Sequence, residues 1–223
     1  MADTTDLPTS WLAETPEVER IELDGHSWVD VVRGLVPRAD EVHDELVADA
    51  RWEQGKVFRY ERWIPEPRLY GTMPSGVPHP AVAEAGRWLS RRYRVLFGVG
   101  ALARYRNERD SVRFHRDREL RWLEDTLIGV LTLGATRPWL LRPLGTRRDD
   151  DDDDLVDAID IRPASGDLLV MGGRCQAAWL HAVPKVAGRC GSRISVQWRW
   201  TSRRGRRDPN PPYSAPRLFG RPP

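Results

Sequence analysis

Arg193-Ile194-Ser195-Val196-Gln197-Trp198-Arg199 alternates without a break, with arginine, serine, glutamine and arginine at one parity and isoleucine, valine and tryptophan at the other. Successive side chains of a strand point to opposite faces, so this is a strand with one apolar and one polar face. Taken alone, the polar face reads as the wet side of a half-buried strand. Seven further runs of strand length precede it: RVLFGVGALARY (94–105), SVRFHRD (111–117), DTLIGVLTLGA (125–135), RPWLLRPL (137–144), LVDAIDI (155–161), GDLLVM (166–171) and AAWLHAV (177–183). Eight such runs separated by turn residues predict a β-sandwich or double-sheet jelly roll. The acidic run 149–154 falls between two of them and reads as a solvated hairpin loop.

The N-terminal half has a different rhythm. Residues 1–20 form a loose lead-in, and 21–36 read as a short strand followed by the start of a helix. In 37–52, Val42, Leu46, Val47 and Ala50 recur at helical steps, and a second helix is predicted over 80–93 with proline in its first turn and Ala81, Val82, Ala85, Trp88 and Leu89 on one stripe. Between the helices, residues 56–80 are rich in Pro, Gly and aromatics and suit a loop or hairpin lid. The expected architecture is mainly β with flanking helices: a jelly-roll (double-stranded β-helix) core, N-terminal helices and a lid-like segment. Residues 21–201 form the single domain, and 202–223 a basic, proline-rich, disordered tail.

A chain of 223 residues with 40% hydrophobic content can bury one core. Its net charge of +2, from 35 basic and 33 acidic residues, excludes both a polycationic tail protein and an acidic disordered one. With the six charges of 149–154 set aside, the rest stands at +8, nearly all arginine, so a polyanionic partner stays open. Two cysteines make no disulfide framework, no leader pattern opens the chain, and the mean hydropathy is −0.57. A soluble, cytoplasmic monomer with no membrane segment is expected.

His115 and Asp117 are two apart, so on a strand both side chains reach one ion. His26, His43 and His79 precede the strand-rich region and read as structural, whereas His181 follows a buried-looking run, 66 positions after His115. Two imidazoles and a carboxylate make the facial triad of non-haem Fe(II) oxygenases, and the same three with a water would make a hydrolytic zinc site. The two arginines at 193 and 199 favour the first, because guanidinium groups pair bidentately with a dicarboxylate such as 2-oxoglutarate.

SVRFHRDREL, GDLLVMGG, WLHAVPK and SRISVQWR, in this order, resemble the AlkB family of Fe(II)/2-oxoglutarate dioxygenases and its HxD…H…RxxxxxR arrangement over roughly residues 60–201. The resemblance implies a jelly roll, iron on His115, Asp117 and His181, and 2-oxoglutarate near Tyr105, Arg193, Ser195 and Arg199. Where the family motif begins with Asn this chain has Ala103, so one hydrogen bond to the cosubstrate is not expected. Glu119 matches an acidic residue that meets the exocyclic edge of a flipped base, Tyr70 is placed to stack on a base, and Arg68 to meet a phosphate or the base itself. The implied activity is oxidative removal of N-alkyl groups from nucleobases of DNA or RNA, with dioxygen consumed and an aldehyde, succinate and CO2 released. The alternatives are a 2-oxoglutarate-dependent hydroxylase or demethylase of a protein or small molecule, which would have a closed pocket without a basic groove, and a non-catalytic binding module.

Overall fold

A computed structural model describes residues 10–117, 120–145, 158–205, 207–208 and 217–218. In chain order the elements are β1 (Glu19–Glu22), β2 (Ser27–Val32), α1 (Ala39–Asp49), β3 (Arg51–Glu53), β4 (Lys56–Arg59), β5 (Arg62–Pro65), β6 (Leu69–Thr72) and α2 (Pro80–Tyr93). Then follow β7 (Ala101–Tyr105), β8 (Val112–His115), β9 (Thr126–Gly134), β10 (Leu140–Pro143), β11 (Ile159–Asp160), β12 (Leu168–Gly173), α3 (Cys175–Ala178), β13 (Trp179–Val183), β14 (Arg193–Thr201) and β15 (Arg217–Leu218). All eight runs predicted from the sequence contain a strand.

Eight strands form one sheet in the order β1-β2-β12-β9-β14-β7-β6-β3, and four form a second in the order β11-β10-β13-β8. All their pairings are antiparallel. The larger sheet is covered on both faces. On one, Leu127, Leu131 and Leu133 of β9 and Ile194, Val196 and Trp198 of β14 meet Val42 and Leu46 of α1 and Ala81, Val82, Ala85 and Leu89 of α2. On the other, Ile128 and Val130 of β9 meet Leu141 and Val183 of the smaller sheet and Trp139, which immediately precedes β10. That is the expected jelly roll with flanking helices.

The second helix spans the expected residues. Pro80 supplies its first turn, and the His79 Nδ1 accepts from the Ala81 N–H at 3.1 Å. Three expectations are corrected. Residues 21–36 do not enter a helix: 27–32 form β2, packed antiparallel to β12, and the helix starts at Ala39. A run of valines buried on both faces suits an interior strand, whose apolar stretch looks like the beginning of a helix. The polar parity of β14 is not wet: Arg193 and Ser195 are 0% and 1% exposed. Finally, the predicted tail is held in part, since the Asp208 N–H donates to the Arg121 carbonyl at 2.7 Å, the Arg121 guanidinium donates back to the Asp208 carbonyl at 2.6 Å, and β15 pairs with β4 of the β4–β5 hairpin. The acidic run 149–154 lies outside the described residues.

Candidate metal centre and cosubstrate seat

His115 ends β8 and His181 lies in the middle of β13, and the two are directly paired across the strands. Side chains of such a pair project from one face, which sets the imidazole centroids 4.2 Å apart. Asp117 follows the end of β8. Gln176 fixes its backbone by accepting the Asp117 N–H at 2.8 Å, and Arg199 fixes its side chain by donating from Nε to Oδ2 at 2.6 Å. The other carboxylate oxygen then stands 3.7 Å from the Nε2 of His115 and 3.9 Å from that of His181. The three ligand atoms lie within 4.8 Å of one another, a spacing that one divalent ion can bridge.

The protonation of the group suits a metal. Nδ1 of His115 donates to the Arg113 carbonyl at 2.8 Å, which leaves the Nε2 lone pair for coordination. Burial lowers the pKa of His115 against the pull of Asp117, and burial together with the repulsion a second protonated imidazole would meet beside His115 brings His181 down to about 3. Burial alone would raise Asp117, yet the charges of Arg199 and both imidazoles hold it at about 2. Two neutral imidazoles and one carboxylate are therefore present at neutral pH. Trp139, 2% exposed, stacks on His181 at 5.7 Å and 22° and fixes the ring plane.

Arg193 lies on the same interior face as Arg199. Its Nη2 donates to Thr132 Oγ1 at 3.1 Å, while among the described residues Nε and Nη1 have no hydrogen-bond partner. Burial lowers its pKa to about 10. A fully buried guanidinium with donors unused is costly unless an anion completes it, so the position fits the far carboxylate of a dicarboxylic acid. Tyr105, 1% exposed, lies beside it, its ring 5.9 Å from the guanidinium carbon. Ser195 shares the interior face, paired with Ala103 of β7 on one side and Thr132 of β9 on the other.

Arg68 and Tyr70 are not on a lid, as the sequence suggests. Tyr70 lies on β6, paired with Ala103 in the large sheet, and Arg68 points inward. Its guanidinium donates to the Tyr70 hydroxyl at 3.0 and 3.2 Å and to the Tyr105 hydroxyl at 3.4 Å, and its charge contributes to the low pKa of both histidines. Glu119 lies outside the described residues. Three neighbours escaped the sequence reading: Gln176, Trp139 and Arg137. Arg137 is 1% exposed, donates to the carbonyls of Asn107, Asp110 and Pro184, and lies 5.4 Å from the Tyr105 ring. A glutamine inside an apolar run was the one visible sign of Gln176.

Alpha-ketoglutarate-dependent dioxygenase alkB homolog 3 from Bos taurus is 30% identical over 174 residues, which are 72% of this chain and 61% of that protein. The Homo sapiens protein of the same name is 30% identical over 177 residues, 74% of this chain and 62% of its own. The chain thus spans somewhat over three fifths of these relatives. Among solved structures, a prolyl hydroxylase from Trichoplax adhaerens, in complex with a hypoxia inducible factor peptide fragment, matches with a TM-score of 0.47 and 11% identity over 77% of this chain and 83% of that one. A family model described as the 2OG-Fe(II) oxygenase superfamily matches residues 31–207. With a His-Asp-His group that fits iron and a buried arginine that fits a dicarboxylate, the chain belongs to the 2OG-Fe(II) oxygenase superfamily, the iron- and 2-oxoglutarate-dependent dioxygenases.

Proposed function

We propose that this protein oxidatively removes N-alkyl groups from nucleobases in DNA or RNA. The observation that carries the proposal is the buried, half-partnered Arg193 sharing one interior with the His115, Asp117 and His181 group. The likeness to proteins named alkB homolog 3 supports the nucleic-acid substrate. In this reading His115, Asp117 and His181 hold Fe(II), and Arg193 binds the far carboxylate of 2-oxoglutarate with Tyr105 and Ser195 beside it. Arg199 keeps Asp117 ionised and oriented. Arg68, braced by two tyrosine hydroxyls, supplies positive charge that helps keep both imidazoles neutral.

Bound iron and 2-oxoglutarate supply, with dioxygen, the oxidation of a C–H bond next to nitrogen, 2-oxoglutarate leaving as succinate and CO2. The chain's own part is to bind, orient and exclude water. Trp139 and the apolar layer between the sheets keep the interior dry, and the interior arginines confine a dianion. An N-hydroxymethyl base then loses formaldehyde and returns to the unmodified base. The deciding experiment measures formaldehyde from a panel of N-methylated oligonucleotides, with unmodified strands as controls. Release that requires iron and 2-oxoglutarate is expected. Cosubstrate turnover with no release from any methylated strand, but with hydroxylation of a peptide or small molecule, overturns the substrate assignment.

A further inference from the structure

Arg199 belongs to two environments. It holds Asp117, and it also lines a cavity of about 600 Å³ at the end of β14 remote from Arg193. That volume is within the range of small-ligand sites. Three segments meet there: Leu120, Arg121 and Trp122 beyond Asp117, Trp200 and Arg203 at the end of β14, and Leu96 from the loop after α2. The walls are fastened to each other and to the metal centre. The Thr201 hydroxyl donates to the Trp122 carbonyl at 2.8 Å, and the Leu120 N–H to the Asp117 carbonyl at 3.4 Å.

The lining is unusual for a structural cleft. Both indoles are half-buried, Trp200 with one side against the core and Trp122 with the Arg207 guanidinium carbon 5.6 Å from its ring, and Leu96 is 89% exposed at the rim. Arg203 is exposed, and among the described residues no carboxylate lies within salt-bridge distance of it. The segment leading to Leu96 carries exposed Arg91, Arg92 and Arg94. Among the described residues, Glu124 is paired with Arg174 at 3.0 Å, Asp117 is committed to Arg199 at 2.6 Å, and Asp208 is bonded through its backbone to Arg121. Flat aromatic faces bind nucleobases of any sequence, and a guanidinium without a carboxylate partner binds phosphate. An apolar peptide would leave Arg203 unused, and a lone inorganic anion would leave the indoles unused.

We infer that this cavity takes a nucleotide of the substrate strand adjacent to the reacting one, its base against Trp122 and Trp200 and its phosphate on Arg203. The inference rests on the nucleic-acid reading proposed above and extends it to a second subsite, built on the far side of Arg199 from the metal ligand.

The test is binding of a labelled single-stranded hexanucleotide to the full chain, followed by fluorescence anisotropy across a salt series. Arg203 has a φ of 56°, so Arg203→Gly removes the charge without imposing strain. It is expected to weaken binding about tenfold and to lower the salt slope by about 0.7, as the loss of one phosphate contact to a single strand requires. Trp122→Ala is expected to weaken binding by about tenfold or more, and Trp122→Phe to keep most of the affinity, because a ring still stacks. Wild-type binding with the same affinity and salt slope in Arg203→Gly, and the same affinity in Trp122→Ala, overturns the inference and leaves the nucleic-acid reading standing. A wild-type chain that neither binds the hexanucleotide nor releases formaldehyde from methylated strands overturns both.

Discussion

Arg199 and Asp117 form a 2.6 Å charge-assisted hydrogen bond through the carboxylate oxygen that faces away from the two imidazoles. One oxygen is thereby committed to the guanidinium and the other is turned toward the ion. Arg199→Ala is expected to weaken iron binding by about 10- to 100-fold, the usual consequence of losing a partner behind a metal ligand. Arg199→Lys should recover part of it. Anaerobic iron titration checks both, and unchanged affinity in the alanine variant would show that Asp117 orients itself.

Arg193 predicts opposite effects on binding and on stability. Arg193→Met is expected to raise KM for 2-oxoglutarate steeply, by about 2–4 kcal/mol of lost binding, since the bound carboxylate would lose its buried partner. In the absence of 2-oxoglutarate the same variant should unfold at a higher temperature than the wild type. The stabilisation is expected to be about 1 kcal/mol or more, because a buried cation with two nitrogens that find no hydrogen-bond partner among the described residues is replaced by an apolar side chain of similar length. Thermal unfolding with and without 2-oxoglutarate separates the two effects, and a variant less stable in both conditions refutes the account.

Acid should destabilise the metal-free protein through two groups acting in the same direction. The folded chain keeps His181 neutral down to about 3 against an ordinary 6.5, so below 6.5 only the unfolded chain gains its proton and stability falls as the pH drops toward 3. Asp117, at about 2 against an ordinary 3.8, stabilises the fold as an anion above about 4 and loses that contribution as the pH falls toward 2. Melting temperature against pH should fall steadily below neutrality, and less steeply in His181→Gln. A flat profile between pH 7 and 4 would contradict the His181 assignment, and no further fall between pH 4 and 2 would contradict that of Asp117.

The two cysteines should differ in reactivity. Cys175 is 0% exposed, donates to the Trp28 carbonyl at 3.3 Å, and has its thiol pushed up to about 12 by burial. Cys190 is partly exposed. A thiol reagent at neutral pH should add one label to the native protein, at Cys190, and two after denaturation. Peptide mass spectrometry reads the site, and labelling of native Cys175 would show that α3 opens.

What the sequence made legible is what periodicity and spacing carry. The i, i+2 placement of His115 and Asp117, the lone histidine in a later apolar run and the strict alternation of β14 suffice for the metal group and for the interior arginines. The division of labour between Arg193 and Arg199 is not legible, because alternation puts both on one face and only the fold shows that Asp117 comes to meet the second. Arg68 and Tyr70 looked like lid residues because Pro and Gly surround them, yet pairing of β6 with β7 draws them into the sheet. Trp139 and Arg137 act through contacts with residues 42 and 32 positions away, His181 and Tyr105, and no local pattern announces such partners.

β14 is a party wall. Its outward indole at Trp198 leans on Gly86 of α2, while the residues on either side of it, Gln197 and Arg199, look into the chamber where the ligands converge. Helices that touch no ligand therefore set the height and tilt of the floor on which chemistry takes place. A methyl group added at Gly86 would meet Trp198 at 3.0 Å, and the displacement would be felt first as a mispointed guanidinium rather than as a loosened core.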